Sequence, residues 1–313
     1  MKIEEFLKTL GVRSQSADTL RAYREDLKRF EAFLHERSLR VTQVKTSTIG
    51  EYVAYLNEHA GRTISGQLAP ATIRRRLSVL SSYYEFLRAE SNGKIRNPFT
   101  GYVLPKPDND LPRAVDDAVL HQLIEGITDP RDRAIVMLFL YSGLRLHELC
   151  QLNVDSVTVT ERQLPSGQTV TLGEGEVLGK GRKRRRFVIG LEALTALSAY
   201  LQGRPPVTEP ALFLSERRTR MSGRAIQHAV QTWCRRLGLA HIHVHALRHS
   251  FCTRMINSGM PSAVLRELTG HSSWGAFQRY FRIRPERLFR EYHAANEYIQ
   301  SSNPSTQRSN CSQ

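Results

Sequence analysis

Acidic residues are scarce in this chain: 30 Asp and Glu stand against 45 Lys and Arg, leaving a net charge of +15 over 313 residues. A compact body with that surplus repels itself, and a phosphate backbone relieves the repulsion, so nucleic acid is the expected partner. The competing reading is a protein that is basic only for solubility. Cysteine is scarcer still. Cys150, Cys234, Cys252 and Cys311 form no CxxC pair and no zinc-ribbon spacing, which argues against a disulfide scaffold and for reduced, mostly buried thiols. Long apolar runs are missing: the longest, AIVMLFLY from Ala134 to Tyr141, stops at eight residues. No membrane span and no signal peptide are therefore expected, and the chain reads as soluble and cytoplasmic, associated with the nucleoid. The absence of any repeat of about 20–50 residues argues against a solenoid.

What is present is mostly helical periodicity. Leu20, Tyr23, Leu27, Phe30 and Phe33 or Leu34 recur at helical spacing between Thr19 and Arg37. A second helix is expected to open on a capping box, Thr48 as cap and Glu51 three residues on, with Ile49, Tyr52, Val53 and Leu56 inward. Pro70 opens a third, with Ile73, Leu77, Leu80, Tyr84 and Leu87 facing the bundle. That helix carries Arg74, Arg75 and Arg76 in succession. At least one must abut the bundle, leaving the others to solvent or to DNA phosphate.

Between Pro98 and Pro112 the periodicity stops in PFTGYVLPKPDNDLP, which reads as a linker. The organisation expected is a helical core-type DNA-binding domain over 1–100, a linker over 101–113, a catalytic domain over 114–300 and a disordered tail over 301–313. Residues before 111 carry 18 Lys and Arg against 13 Asp and Glu, hence +5, leaving +10 of the total for the rest. Two basic lobes on a proline-rich tether suggest a clamp. In the second domain Asp129 caps and Pro130 opens a helix that ends at Ser142 and Gly143. From Val154 to Gly190, β-branched alternation and glycines predict a small antiparallel sheet from VTVT, QTVTL, EGEVLGKG and RFVIG. Helices are expected over 191–201, 222–237, 246–258, 262–268, 274–281 and 285–299. The fold class expected is mainly α with a small antiparallel β-sheet, in two domains.

Four local signals stand out in the second half. YSGLRLHELCQL sets Arg145 beyond a helix-ending glycine with Glu148 one turn later, a spacing that an ordinary ion pair also produces. GKGRKRRRF places Lys180 between glycines at a hairpin tip, followed by Lys183 and Arg184, which are expected to contact DNA; alone this is also a plain basic tract. HIHVHALRHSF packs four histidines and Arg248 into eleven residues. His245 and His249 share a helix face, but a zinc hydrolase with that spacing needs a glutamate where Ala246 stands, so no metal is expected. His245 and Arg248 can instead aim donors at one phosphate, leaving His241, His243 and His249 as packing or supporting groups. TGHSSWGAFQRYF supplies His271 and, nine residues on, Tyr280, with Phe277 and Phe281 as expected core.

Taken in order, GLRxxEL, GKGxK, HxxR, then GH and a tyrosine nine residues later, this set resembles the tyrosine recombinase family, the phage integrase and Xer-type site-specific recombinases. The resemblance runs over nearly the whole chain and implies an amino-terminal helical domain that grips a core DNA site. It implies catalytic roles for Arg145, Lys180, His245, Arg248, His271 and Tyr280, and a tetramer on double-stranded DNA. A carboxy-terminal docking helix over about 285–300 is implied as well, with Leu288, Tyr292, Ala295 and Ile299 on one stripe. Monomeric or dimeric free protein and accessory proteins are compatible with it. Two departures are visible, LTGH for the common LLGH and FVIG where a proline is common; neither removes a functional group.

The chemistry follows from the residue types. Guanidiniums stay protonated and fork onto two phosphate oxygens, which suits Arg145 and Arg248 to a phosphoryl-transfer transition state; His271 adds a donor. Tyr280 attacks phosphorus, His245 accepts its proton and Lys180 protonates the leaving 5′ oxygen. Glu148 orients a cation. No cofactor is expected, because a phosphotyrosine bond conserves the energy of the bond it replaces. The biological job implied is integration, excision or the resolution of dimers and cointegrates. Two alternatives remain: a type IB-like topoisomerase, and a non-enzymatic regulator whose helices around Asn257 to Met260 form a helix-turn-helix.

Overall fold

The computed structural model describes residues 1–12, 17–59, 67–104, 114–179, 184–271, 277 and 289–293. The chain divides into two compact units, Met1–Asp110 and Leu111–Gln313. In the first unit lie α1 (Ile3–Val12), α2 (Ala17–Glu36), α3 (Thr46–Glu58) and α4 (Pro70–Glu90). The apolar stripes of α2, α3 and α4 make its core: Leu27, Phe30, Phe33, Tyr52, Leu77 and Leu80 are all at most 1% exposed. Phe30 meets Tyr52 edge-on with ring centroids 4.9 Å apart, and the Tyr84 hydroxyl donates to the Val41 carbonyl at 2.8 Å. Helix α1 was not anticipated, although Ile3, Phe6, Leu7 and Leu10 bury themselves at regular helical spacing.

Thr48 is not the cap of α3. The helix begins at Thr46, and Thr48 as its third residue accepts the Lys45 amide at 3.2 Å, closing the first turn from inside. Pro70 does open α4 as expected, because its missing N–H falls where the helix has no acceptor to offer.

The second unit is built on α6 (Pro130–Ser142), capped by the Asp129 carboxylate, which accepts the Asp132 amide at 3.0 Å. Every residue from Ala134 to Leu140 is buried, the expected fate of a helix that is apolar all round. Around it pack α8 (Leu191–Gly203), α9 (Gly223–Arg236), α10 (Val244–Asn257) and strand β3 (Arg184–Ile189). Helices α5 (Asp117–Gly126), α7 (Leu146–Gln151) and α11 (Ser262–Thr269) also belong to this unit. Strands β1 (Thr158–Gln163), β2 (Thr169–Leu178) and β3 form an antiparallel sheet in the order β1-β2-β3. Four strand-like stretches become three strands because the glycines at 173 and 175 lie inside β2, paired with Ile189 and Phe187, and do not turn the chain.

Of the expected helices at 274–281 and 285–299, only Phe277 and residues 289–293 are described, and both are helical. The remainder of those helices, with the expected nucleophile Tyr280, and Lys180, Lys183, most of the expected linker and the tail lie outside the described residues. No helix among the described residues is long and apolar enough to cross a membrane.

Candidate active site

Gly143 ends α6 with a φ of +58°, and a side chain there would press on Phe251, its Cβ 2.5 Å from Cδ1. The left-handed turn is open to glycine at little cost and brings the chain directly into α7, with Arg145 at its N-cap. Glu148, three residues on, is fully buried. Its Oε2 accepts the Arg145 amide at 2.7 Å and its Oε1 accepts Arg145 Nη1 at 2.9 Å. The ordinary ion pair is therefore present, but it is only half of what Glu148 holds. Arg185 on β3 donates from Nε to Oε1 at 3.2 Å and from Nη2 to Oε2 at 2.5 Å. Arg248 on α10 brings its Nη1 to 4.0 Å from Oε2.

The same three guanidiniums also close the carboxyl end of α11. The carbonyls of Leu268, Thr269 and Gly270, in succession, accept from Arg185 Nη1, Arg248 Nη2 (2.6 Å) and Arg145 Nη2 (2.6 Å). The last carbonyls of a helix lack partners within it and carry its negative dipole end, so three arginines are a fitting cap. Arg248 gives a further hydrogen bond to the Gly143 carbonyl. Gly270 ends α11 with a φ of +63°, and a Cβ there would lie 2.7 Å from Arg185 Cδ and 3.4 Å from Arg145 Nη1. Only a residue without a side chain lets this backbone lie so close to the guanidiniums.

His271 follows at once. Its Nδ1 sits 2.6 Å from the Thr269 hydroxyl, and its ring centroid is 5.3 Å from that of Phe277, which is fully buried as expected. His245 occupies the first turn of α10, as the spacing with Arg248 requires.

Charge in this cluster is unbalanced: three guanidiniums face one carboxylate and a helix end. Burial alone would raise the Glu148 carboxyl, but hydrogen bonds from Arg185 and from the Arg145 amide outweigh it and hold the group below its ordinary value. Burial, and then the charge of Arg145, pulls the Arg248 guanidinium down to about 10, still cationic at neutral pH. His245 is an exposed residue on the first turn of α10; partial desolvation there, then the charges of Arg248 and Arg145, lowers its pKa below the ordinary imidazole value and leaves it neutral at neutral pH. A cage with surplus positive charge and a neutral imidazole at its edge suits an oxyanion.

Arg185 was not singled out in the sequence. The signal was available: Arg185, Phe187 and Ile189 alternate on the inner face of β3, so the basic tract hides one buried arginine among exposed ones. Arg184 points outward, 3.6 Å from Glu176. In the first unit, Arg75 forks onto buried Asp26 at 2.5 and 3.0 Å and Arg76 lies 3.6 Å from it, while Arg74 is exposed. The expectation that one of the three abuts the bundle holds for Arg76, whose side chain is 14% exposed. The histidines beside the site divide. His249 is buried, whereas His241 and His243 are exposed and meet each other edge-on, so they do not pack into the core. Among the described residues no three His, Cys, Asp or Glu side chains converge to hold a metal ion.

Residues 113–287 match the model of the phage integrase family, and residues 3–91 match that of the phage integrase N-terminal SAM-like domain. The tyrosine recombinase XerC of Chromobacterium violaceum is 33% identical over 302 residues, 94% of each chain. XerC of Salmonella typhi is 33% identical over 304 residues, 95% of each chain. Among solved structures, the XerH site-specific recombinase bound to palindromic difH substrate in a post-cleavage complex matches with a TM-score of 0.70 at 18% identity, over 93% of this chain and 83% of that one. A lambda integrase dimer bound to a COC′ core site matches with a TM-score of 0.67 at 16% identity, over 90% of this chain and 95% of that one. At these identities the structural likeness speaks for the fold.

Proposed function

Because this chain belongs to the phage integrase family of tyrosine recombinases, enzymes that cut and rejoin DNA at specific sites, we propose that Tyr280 is its nucleophile and that Arg145, Arg248 and His271 hold the phosphate it attacks. The observation that carries this reading is the arrangement of guanidiniums about one buried carboxylate. Arg145 and Arg248 each spend one hydrogen on the end of α11, and among the described residues they keep further N–H groups that no protein acceptor takes. Those groups are what a phosphodiester's non-bridging oxygens require as charge builds in the transition state.

In the proposed step the Tyr280 oxygen forms a bond to phosphorus as the bond to the 5′ oxygen breaks, leaving a 3′-phosphotyrosine and a free 5′ hydroxyl. A phenol with an ordinary pKa near 10 is only about 0.1% ionised at neutral pH, a cost of roughly 4 kcal/mol. Neutral His245 accepts its proton, and the field of the arginines offsets the rest. Lys180 supplies the proton that the 5′ oxygen takes. Attack by that hydroxyl, or by one from a second duplex, reverses the bond and restores the phosphodiester without an added energy source. Glu148 keeps the cations aimed.

Exchange between two duplexes needs four such sites, so the active form proposed is a homotetramer on DNA. The carboxy-terminal segment that exposes Phe289 and Tyr292, each 71% accessible, serves as the contact between protomers. Arg74, Lys183 and Arg184 are proposed as DNA backbone contacts, and Arg75 and Arg76 as groups held near that backbone by Asp26. The tyrosine recombinase relatives do not favour the topoisomerase or the helix-turn-helix regulator.

The test is Tyr280→Phe on a nicked duplex carrying the sequence that the wild-type chain protects from nuclease. Retained gel-shift affinity with complete loss of covalent adduct is expected; an adduct formed by the Phe variant would contradict the assignment. Efficient relaxation of a supercoiled plasmid lacking that sequence would instead favour the topoisomerase.

A further inference from the structure

Arg185 takes no part in the chemistry just proposed, yet it is among the least exposed cations of the second unit, its side chain 7% accessible. It stands on the inner face of β3, between Arg184 and Arg186, whose side chains are 78% and 83% accessible. Burying a guanidinium costs several kcal/mol unless its donors are met. Here they are met by protein at each of its three nitrogens. Nε and Nη2 go to the two oxygens of Glu148, and Nη1 goes to the carbonyls of Leu268 and, at 3.5 Å, Arg186. Unlike Arg145 and Arg248, Arg185 therefore has every nitrogen engaged by protein, and its burial closes it off from a substrate.

Its partners show what it does. Glu148 fixes both the backbone and the guanidinium of Arg145. Leu268 opens the run of three carbonyls whose other two members accept from Arg248 and Arg145, immediately before His271. One side chain on a strand thus joins the start of α7 to the end of α11, elements more than a hundred residues apart in sequence. Gly270 packs directly on its Cδ, so the turn into His271 is shaped around this arginine.

We infer that Arg185 is a positioning residue for strand cleavage: it locks Glu148, and through it Arg145, against the carboxyl end of α11, so that the phosphate cage and His271 keep one geometry. This rests on the reading of Arg145, Arg248, His271 and Tyr280 as the cleavage site. A misplacement of about 1 Å in such a cage costs on the order of a hundredfold in rate, while binding, spread over many phosphate contacts, changes little.

The experiment compares the full-length wild type with Arg185→Met and Arg185→Lys on the same nicked duplex. Single-turnover cleavage at saturating enzyme is measured beside gel-shift affinity and the fraction of DNA finally trapped. For Arg185→Met the rate constant is expected to fall about a hundredfold, with affinity within about threefold of wild type and the trapped fraction retained. A merely structural loss would instead lower the trapped fraction and leave the rate constant of the surviving molecules unchanged, which overturns the inference. Arg185→Lys restores a buried cation for Glu148 but cannot also reach Leu268, and it should recover about tenfold of the lost rate. If the Met variant does not fold, the Lys variant decides alone: cleavage at the wild-type rate overturns the inference, and a reduced rate at unchanged affinity supports it. Absence of adduct with the wild-type chain would contradict the assignment of Tyr280 itself. A wild-type adduct with undiminished cleavage by both variants removes only the role given to Arg185.

Discussion

Arg145 donates from Nη2 to the carbonyl of Gly270 at 2.6 Å, across 125 residues of chain. This bond ties the amino end of α7 to the turn that delivers His271, and that turn is left-handed at residue 270, with room for no Cβ beside Arg185 Cδ.

Gly270→Ala should therefore be costly twice over. Alanine must adopt a φ of +63°, and its Cβ must displace Arg185 Cδ from 2.7 Å. A loss of about 1–3 kcal/mol of stability is expected from the strained backbone, with a larger proportional loss of cleavage. Urea unfolding beside single-turnover cleavage checks this; unchanged stability would show that the turn relaxes freely.

Glu148→Gln keeps the shape of the buried side chain but leaves Arg145, Arg185 and Arg248 without their common counter-charge. Removing one partner of a buried ionic cluster typically destabilises by about 3–5 kcal/mol. Because the vacated charge is negative, sulfate or cognate DNA should restore the variant's melting temperature more than it raises that of the wild type. Equal shifts in both proteins would contradict an anion-seeking cage.

The pH dependence follows from His245. Desolvation, followed by the charges of Arg248 and Arg145, lowers its pKa below the ordinary 6.5, so it stays neutral and able to accept a proton into mildly acidic solution. The acid limb of the cleavage rate should lie below that value, and an acid limb above it would contradict His245 as the base. The folded state binds this proton less readily than the unfolded chain. Its contribution to stability is therefore intact above pH 6.5 and is lost as the pH falls through that value toward the lower folded one. His245→Gln should remove that part of the acid destabilisation in melting curves.

Much of this was legible in the sequence where local chemistry decides structure. Pro70, Asp129 with Pro130, and Gly143 mark helix ends because each meets a backbone need within its own turn. The runs around Arg145, Arg248 and Gly270 were legible for the same reason, being short motifs that the described residues place at the start of α7, in the first turns of α10 and at the end of α11. The partners of Glu148 were not, since Arg185 reaches it through strand pairing set by β2 and by the packing of α11 on β3. Basic residues in a tract look alike until alternation on a strand buries one of them. Glycines at 173 and 175 read as turns because their close neighbours, Ile189 and Phe187, come from another strand.

Thr269 is the departure in LTGH that sequence comparison passes over as harmless. It is fully buried, its carbonyl accepts Arg248 at 2.6 Å, and its hydroxyl donates to the Leu265 carbonyl and meets His271 Nδ1, each at 2.6 Å. Thr269→Val preserves the carbonyl and removes the hydroxyl. Loss of about one hydrogen bond, roughly tenfold in cleavage rate, is expected with DNA affinity retained, and Thr269→Ser should recover most of it. Full activity of the Val variant would show that His271 is oriented by other contacts.

The most direct test is to locate the covalent bond. Adduct trapped on a nicked cognate duplex is digested with protease and nuclease, and the nucleotide-bearing peptide is sequenced by mass spectrometry. Covalent catalysis by the phenol predicts a single modified residue, Tyr280, joined to a 3′ phosphate. A bond on any other residue, a 5′ linkage, or no adduct on DNA that the protein demonstrably recombines would contradict it.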